Sequence, residues 1–150
     1  MAGQRIGVDV DDEAVRKAIE RLVGAIAVPR KAMDQIGSHL AAATLLRFER
    51  ETGPDGKPWL KSLRAQAENG QTLTKSGRLR GSITHNVAAD GRAVEVGSNV
   101  IYAAIHQFGG EAGRGKSVTL PARPYLGIDE RNRAAIFGIV SRALAQAATP

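Results

Sequence analysis

The sequence contains no cysteine. Disulfide support, thiolate nucleophiles and cysteine-rich zinc sites are therefore excluded, and reducing surroundings suit such a chain. Aromatic residues make up only 4% of its 150 residues. A core must then rest on Ile, Val, Leu and Ala, and no evident platform exists for stacking nucleic-acid bases. No apolar run approaches the length that crosses a bilayer. Charged and apolar residues alternate through 1–27 too closely for a signal peptide, so a soluble chain with no membrane partner is expected. What remains is 43% hydrophobic and 24% charged, a globular composition suited to a single domain over residues 1–150.

Acidic charge is also scarce, leaving a formal net charge of +6. That balance favours acidic partners, either nucleic acid or an acidic protein face. The excess gathers in one segment, where Lys57, Lys61, Arg64, Lys75, Arg78 and Arg80 stand against Glu68 alone. We read these six as a candidate basic contact surface; an ordinary solvated loop would have the same composition.

Periodicity then supplies the elements. Ile6, Val8 and Val10 alternate as a half-buried strand does. Val15, Ala18, Ile19, Leu22, Val23 and Ile26 recur at helical spacing, with a start near Asp11 or Asp12 and an end before Pro29. A second helix begins near Pro29, turns Met33, Ile36, Leu40, Ala43 and Leu46 inward, carries Phe48 near its end, and stops at Gly53-Pro54. In the turn-forming PDGKPW stretch, Trp59 folds back as an anchor. Residues 60–82 lack a sustained apolar period: Lys61 to Ala67 can form a short helix, and Glu68 to Thr72 should be exposed. Ile83, His85 and Val87 start a strand, Asp90-Gly91 gives a hairpin turn, and Ala93 to Val96 return. Val118 and Leu120 make a further short strand. A final helix carries Ile136, Ile139, Val140, Ala143, Leu144 and Ala147 on one stripe, capped by Asp129. The expected fold is α+β, a small mostly antiparallel sheet packed against two N-terminal helices and one C-terminal helix. Mobile loops are expected near 60–75 and 109–117.

Candidate chemistry is thin. No serine lies in a G-x-S-x-G setting, and His39, His85 and His106 are isolated from one another. The acidic residues Asp9, Asp11, Asp12 and Glu13 suit strand ends and helix caps better than a metal or a paired-carboxylate site. The glycine run after Phe108 has neither phosphate-cradle spacing, so no cofactor is expected. Arg78, Arg80 and Arg123 could read bases, but no recognition helix or zinc finger accompanies them. His106 stays open among structural latch or interface donor, surface residue, and ligand or catalytic group.

Four segments in order carry a resemblance: FERETGPDGKPW (48–59), LTKSGRLRGSI (73–83), VEVGSNVIYAAIHQFGG (94–110) and VTLPARPYLG (118–127). Together they resemble the phage virion morphogenesis proteins of tailed bacteriophages and prophages, the tail-completion group. The resemblance implies a structural, non-enzymatic protein of the virion tail or neck, present in the host cytoplasm during assembly. It implies a homo-oligomeric ring, a hexamer being one such ring, with tail-tube and head–tail connector proteins as neighbours. A small basic nucleic-acid-binding module is the alternative, and non-specific DNA contact is compatible with both. The motif residues carried over as structural or interface positions are Trp59, Gly77, Leu79, Tyr102, His106, Gln107, Phe108, Gly109, Pro121, Arg123 and Pro124. Pro54, Gly56, Leu73, Ser82, Ala103, Ala122 and Leu126 belong to the same motifs. Gly77 should permit a left-handed bend. Tyr102, Ile105 and Phe108 could share one face of a short helix or helical turn. Arg123 suits an acidic partner or a carbonyl network.

Overall fold

The computed structural model describes residues 28–148 together with Glu13 and Lys17. The expected strand at Ile6–Val10 and the first helical stripe, Val15 to Ile26, lie outside the described residues.

The first described helix, α1, spans Arg30–Arg50 and starts where expected. Pro29 needs no N–H at that point, and its carbonyl accepts from Ala32 and Met33 at 2.8 and 3.3 Å. Glu51 ends the helix in the left-handed region (φ 52°), and Thr52 N–H bonds back to the Arg47 carbonyl. The next residues close a tight loop. Gly53 N–H bonds Lys57 O at 2.9 Å, and Trp59 N–H bonds Glu51 O at 2.7 Å, which returns the indole to the core as expected.

A short helix α2 covers Leu63–Ala67, capped by the Ser62 hydroxyl. Helix α3, Arg78–Gly81, follows Gly77, which adopts the expected left-handed backbone at φ 74°. Strands β1 (Thr84–Val87) and β2 (Val94–Gly97) then form an antiparallel hairpin with His85 opposite Val96. Gly91 takes positive φ in its turn, matching the Asp90-Gly91 signal. Helix α4 spans Ala103–Phe108, and strands β3 (Gly110–Ala112) and β4 (Val118–Leu120) pair antiparallel around a 3₁₀ turn at Arg114–Lys116. The last helix, α5, covers Glu130–Ala148.

Among the described residues the strands form two separate two-stranded ribbons, where one small sheet was expected. Residues 110–112 have no apolar alternation, yet they find a partner in β4, so part of the glycine-rich stretch is a hairpin arm.

Two apolar clusters share α1. Ala32 and Ile36 meet Ile139 and Ala143 of α5, flanked by Met33, Leu40, Val94, Ile136 and Val140. Gly37 lets the β1–β2 hairpin approach α1: a Cβ there would lie 2.4 Å from the His85 ring and 2.7 Å from Val94. At the other end, Phe48, Trp59, Leu79, Ala103 and Tyr125 pack together. The Phe48 ring stands edge-on to Trp59, with centroids 5.6 Å apart, and lies 5.2 Å from Tyr125.

Two burial expectations fail for one reason. Leu46 is exposed, whereas Arg47 beside it is buried. Thr72 is buried although its neighbours are polar. In both places hydrogen bonds, which a hydropathy pattern does not register, decide which side chain turns inward.

Candidate functional site

The four sequence motifs converge on the aromatic cluster. Tyr125 sits at its centre, 1% exposed, and donates its hydroxyl to the Ala103 carbonyl at 2.8 Å. Burial pushes its phenol pKa up. Trp59 donates its indole N–H to the Pro124 carbonyl at 2.8 Å, so the first motif grips the fourth. Leu79 brings the second motif into the same cluster.

Gln107 forms the main lock between the third and fourth motifs. Its Oε1 accepts from the N–H groups of Tyr125 and Leu126, each at 3.0 Å, and its Nε2 donates to Leu126 O at 3.0 Å. The prolines around Ala122-Arg123 leave this extended segment without regular backbone partners, and one side-chain amide supplies them. Gly109 makes the approach possible. Its φ is +73°, and a Cβ there would fall 2.7 Å from the Ala122 nitrogen.

Within the chain His106 meets the fourth motif through its backbone. Its carbonyl accepts the Arg123 N–H at 2.8 Å, but its Nδ1 is buried with no hydrogen-bond partner. The ring stands edge-on to Tyr102, with centroids 5.9 Å apart. Burial and the nearby Arg123 charge both lower its pKa. Tyr102, Ile105 and Phe108 do not share one face. Helix α4 turns about 100° per residue, which carries Phe108 about 120° away from Tyr102. Tyr102 packs on the core, and Phe108 is 78% exposed.

Arg123 is 5% exposed, and its Nε donates to the Leu60 carbonyl at 2.6 Å. Burial lowers its pKa. Pro121 is half-buried beside it in sequence.

Sequence reasoning missed Arg47, the largest polar hub. Its guanidinium donates to Tyr125 O (3.1 Å), Gly127 O (2.9 Å), Asp129 Oδ2 (3.1 Å) and Asn132 Oδ1 (2.7 Å). It thereby ties α1 to the fourth motif and to the start of α5. Asp129 caps α5 as expected, accepting from Asn132 N–H at 2.8 Å, while Asn132 Oδ1 accepts the Asp129 N–H in return. Burial alone would raise the Asp129 pKa. Hydrogen bonds from the Asn132 N–H and the Arg47 guanidinium outweigh it and hold the carboxyl low. A signal for Arg47 did exist: the helical phase set by Ile36, Leu40 and Ala43 reaches 47 as well as 46. Thr72 is held similarly, its N–H bonded to the Glu51 carboxylate and its hydroxyl accepting from Ser62 N–H.

The six basic residues do not form one free surface. Arg64 pairs with Glu68 and donates to Gln71 O, and Arg80 pairs with Glu49. Lys57 lies 3.8 Å from Asp55. Lys61, Lys75 and Arg78 are exposed. His39 reaches Asn132, and His85 reaches Asp34 at 2.8 Å, tying β1 to α1. Among the described residues no group of three His, Cys, Asp or Glu side chains could hold a metal ion. No described helix is long and apolar enough to cross a membrane.

Among the described residues the four motifs form a braced scaffold that leaves Leu60, Leu63, Ile101 and Phe108 exposed, and no nucleophile, base and oxyanion donor come together. Comparison with known proteins points the same way. The family model for the phage virion morphogenesis family matches residues 10–145. The chain is 36% identical over 125 residues to Mu-like prophage FluMu G protein 2 of Haemophilus influenzae, covering 83% of this chain and 85% of that protein. It is 32% identical over a 152-residue alignment to the putative capsid assembly protein G of Escherichia phage Mu, covering 95% and 96%. No solved structure matches it significantly.

Proposed function

The chain belongs to the phage virion morphogenesis family, and from that premise we propose that it completes the tail or joins it to the head as a homo-oligomeric ring. Its role in tailed-phage assembly is structural and not enzymatic. The observation that carries the finer reading is the locked convergence of all four motifs, with Leu60, Leu63, Ile101 and Phe108 left 67%, 83%, 97% and 78% exposed. A rigid body with large apolar side chains outside suits a protein that works by being covered. The phage Mu relative is named for capsid assembly. A protein at the head–tail junction would touch both structures, with connector and tail-tube proteins as neighbours. The chain would then reside in the virion tail or neck.

A second reading, a basic module contacting DNA, draws on exposed Lys61, Lys75 and Arg78. The two are compatible, because a ring beside the DNA route benefits from a basic lumen.

Disrupting the gene in its phage and imaging the products by electron microscopy tests the assignment. Unjoined full heads and finished tails support joining, tails of aberrant length support termination, and normal virions contradict both. A strict monomer by native mass measurement at high concentration, alone and with tail-tube or connector protein, contradicts the ring.

A further inference from the structure

We infer that Arg123 and His106 form the floor of a docking site for an acidic side chain of a partner protein. The inference goes beyond the assembly role and does not depend on it. Arg123 is 95% buried, yet among the described residues it has no carboxylate partner. Among the described residues its side chain makes one hydrogen bond, from Nε to the Leu60 carbonyl. Among the described residues the two terminal guanidinium nitrogens have no partner, and they are not sealed from the surface. A covered guanidinium with an open fork is half of a bidentate pair, and its missing half is a planar anion.

His106 adds a second unmet need beside it. Its Nδ1 is the one buried side-chain nitrogen or oxygen without a hydrogen-bond partner among the described residues. Burial first, and then the nearby Arg123 charge, lower the imidazole pKa and so disfavour the imidazolium in the free chain. An arriving carboxylate offsets the Arg123 part of that effect, because it cancels the Arg123 charge and favours the imidazolium.

The surroundings indicate the kind of partner. Leu60, whose carbonyl holds Arg123, has its own side chain 67% exposed. Leu63 opens α2 three residues further on and is also largely exposed. Lys61 adjoins Leu60 and is also exposed. A phosphodiester backbone has no use for an exposed leucine beside the guanidinium, whereas a protein face with an acidic residue among apolar ones complements it. The formal charge of +6 also disfavours a second copy here and favours an acidic neighbour.

The test is an NMR titration of the ¹⁵N-labelled full chain with a synthetic peptide alternating Glu and Leu. Controls are the same peptide with Gln for Glu, inorganic phosphate, and a short DNA duplex. Binding of the Glu peptide should shift the Arg123 Nε and His106 ring signals and raise the His106 titration midpoint. Arg123→Lys should weaken that binding about tenfold, the loss of one charged hydrogen bond. If that variant fails to fold, the Glu and Gln peptides on the unaltered chain decide the matter alone. Equal binding of both peptides, or no response at Arg123 and His106, overturns the inference. So does a response to phosphate or DNA without one to the peptide, or the same shifts on concentrating the protein alone. The titration requires neither ring nor virion, so its failure and that of the assembly role are separable.

Discussion

The two ends of α1 are stabilised by different means. Toward its start, Ala32 and Ile36 meet Ile139 and Ala143 in a small aliphatic contact, and the hairpin closes over Gly37. Toward its end, Phe48 enters an aromatic cluster whose surrounding chain is extended, proline-stiffened and held by side chains: Arg47, Gln107, Trp59 and Tyr125. The first end rests mainly on apolar surface removed from water, with the His85–Asp34 and Arg30–Ala88 contacts at its edge, and tolerates repacking. The second depends on specific donors and acceptors, and losing one leaves several backbone groups unpaired. All four family motifs reach the second end, although the third begins in β2, where Val94 packs at the first.

That contrast can be broken most forcefully at Arg47. Arg47→Met keeps the apolar stem but removes the guanidinium from Asp129 Oδ2, Asn132 Oδ1 and two carbonyls, and should cost about 3–5 kcal/mol in denaturant unfolding. A loss below 1 kcal/mol would show that the polar hub is decorative. Gly109→Ala comes next. The added methyl meets backbone at Ala122 and Leu120 in a left-handed conformation, which should cost about 1–3 kcal/mol and loosen Gln107 from the fourth motif. Amide exchange at Tyr125 and Leu126 would report it.

At the aliphatic end, Gly37→Ala should cost roughly 1 kcal/mol. The overlap with His85 and Val94 is partly offset by alanine's better helix propensity. Its readout is the His85–Asp34 contact, with Trp59 fluorescence unchanged.

The smallest effect is on pH dependence. His106 and Asp129 both have folded pKa values below their ordinary ones. In each case the unfolded chain binds the proton more readily, so stability is lost as pH falls. The His106 share is complete above its ordinary value near 6.5 and declines as pH drops through and below it. The Asp129 share is complete above about 3.8 and declines beneath that. Unfolding curves should therefore show two separate acid losses, the upper one absent in His106→Gln.

The same contrast explains what was legible in the sequence. The Asp90-Gly91 hairpin, the Asp129-capped α5 stripe, the left-handed Gly77 and the Trp59 anchor were all readable, because turn chemistry and apolar period act locally. The four motifs named the family because they keep their order along the chain. The sequence does not mark Arg47 and Thr72 as buried, and it offers Gln107 only as a hydrogen-bonder of a loop backbone or a neighbouring subunit, without naming the target. Their partners lie up to 85 residues away, and a helical phase that reaches both 46 and 47 favours Leu over Arg on hydropathy. The β3 strand was missed because pairing with β4, rather than its own composition, makes it a strand.

One measurement tests directly whether the motif end is the working face. Phe108 and Phe137 are both exposed, 78% and 75%, one at each end of this comparison. Each is replaced by Asp, and the variants are scored for infectious virions in a phage lacking the native gene, with melting temperature as the folding control. The account predicts that Phe108→Asp keeps its melting temperature and yields no infectious virions, while Phe137→Asp behaves as wild type. Normal virions from Phe108→Asp, or an equal defect from Phe137→Asp, would contradict it.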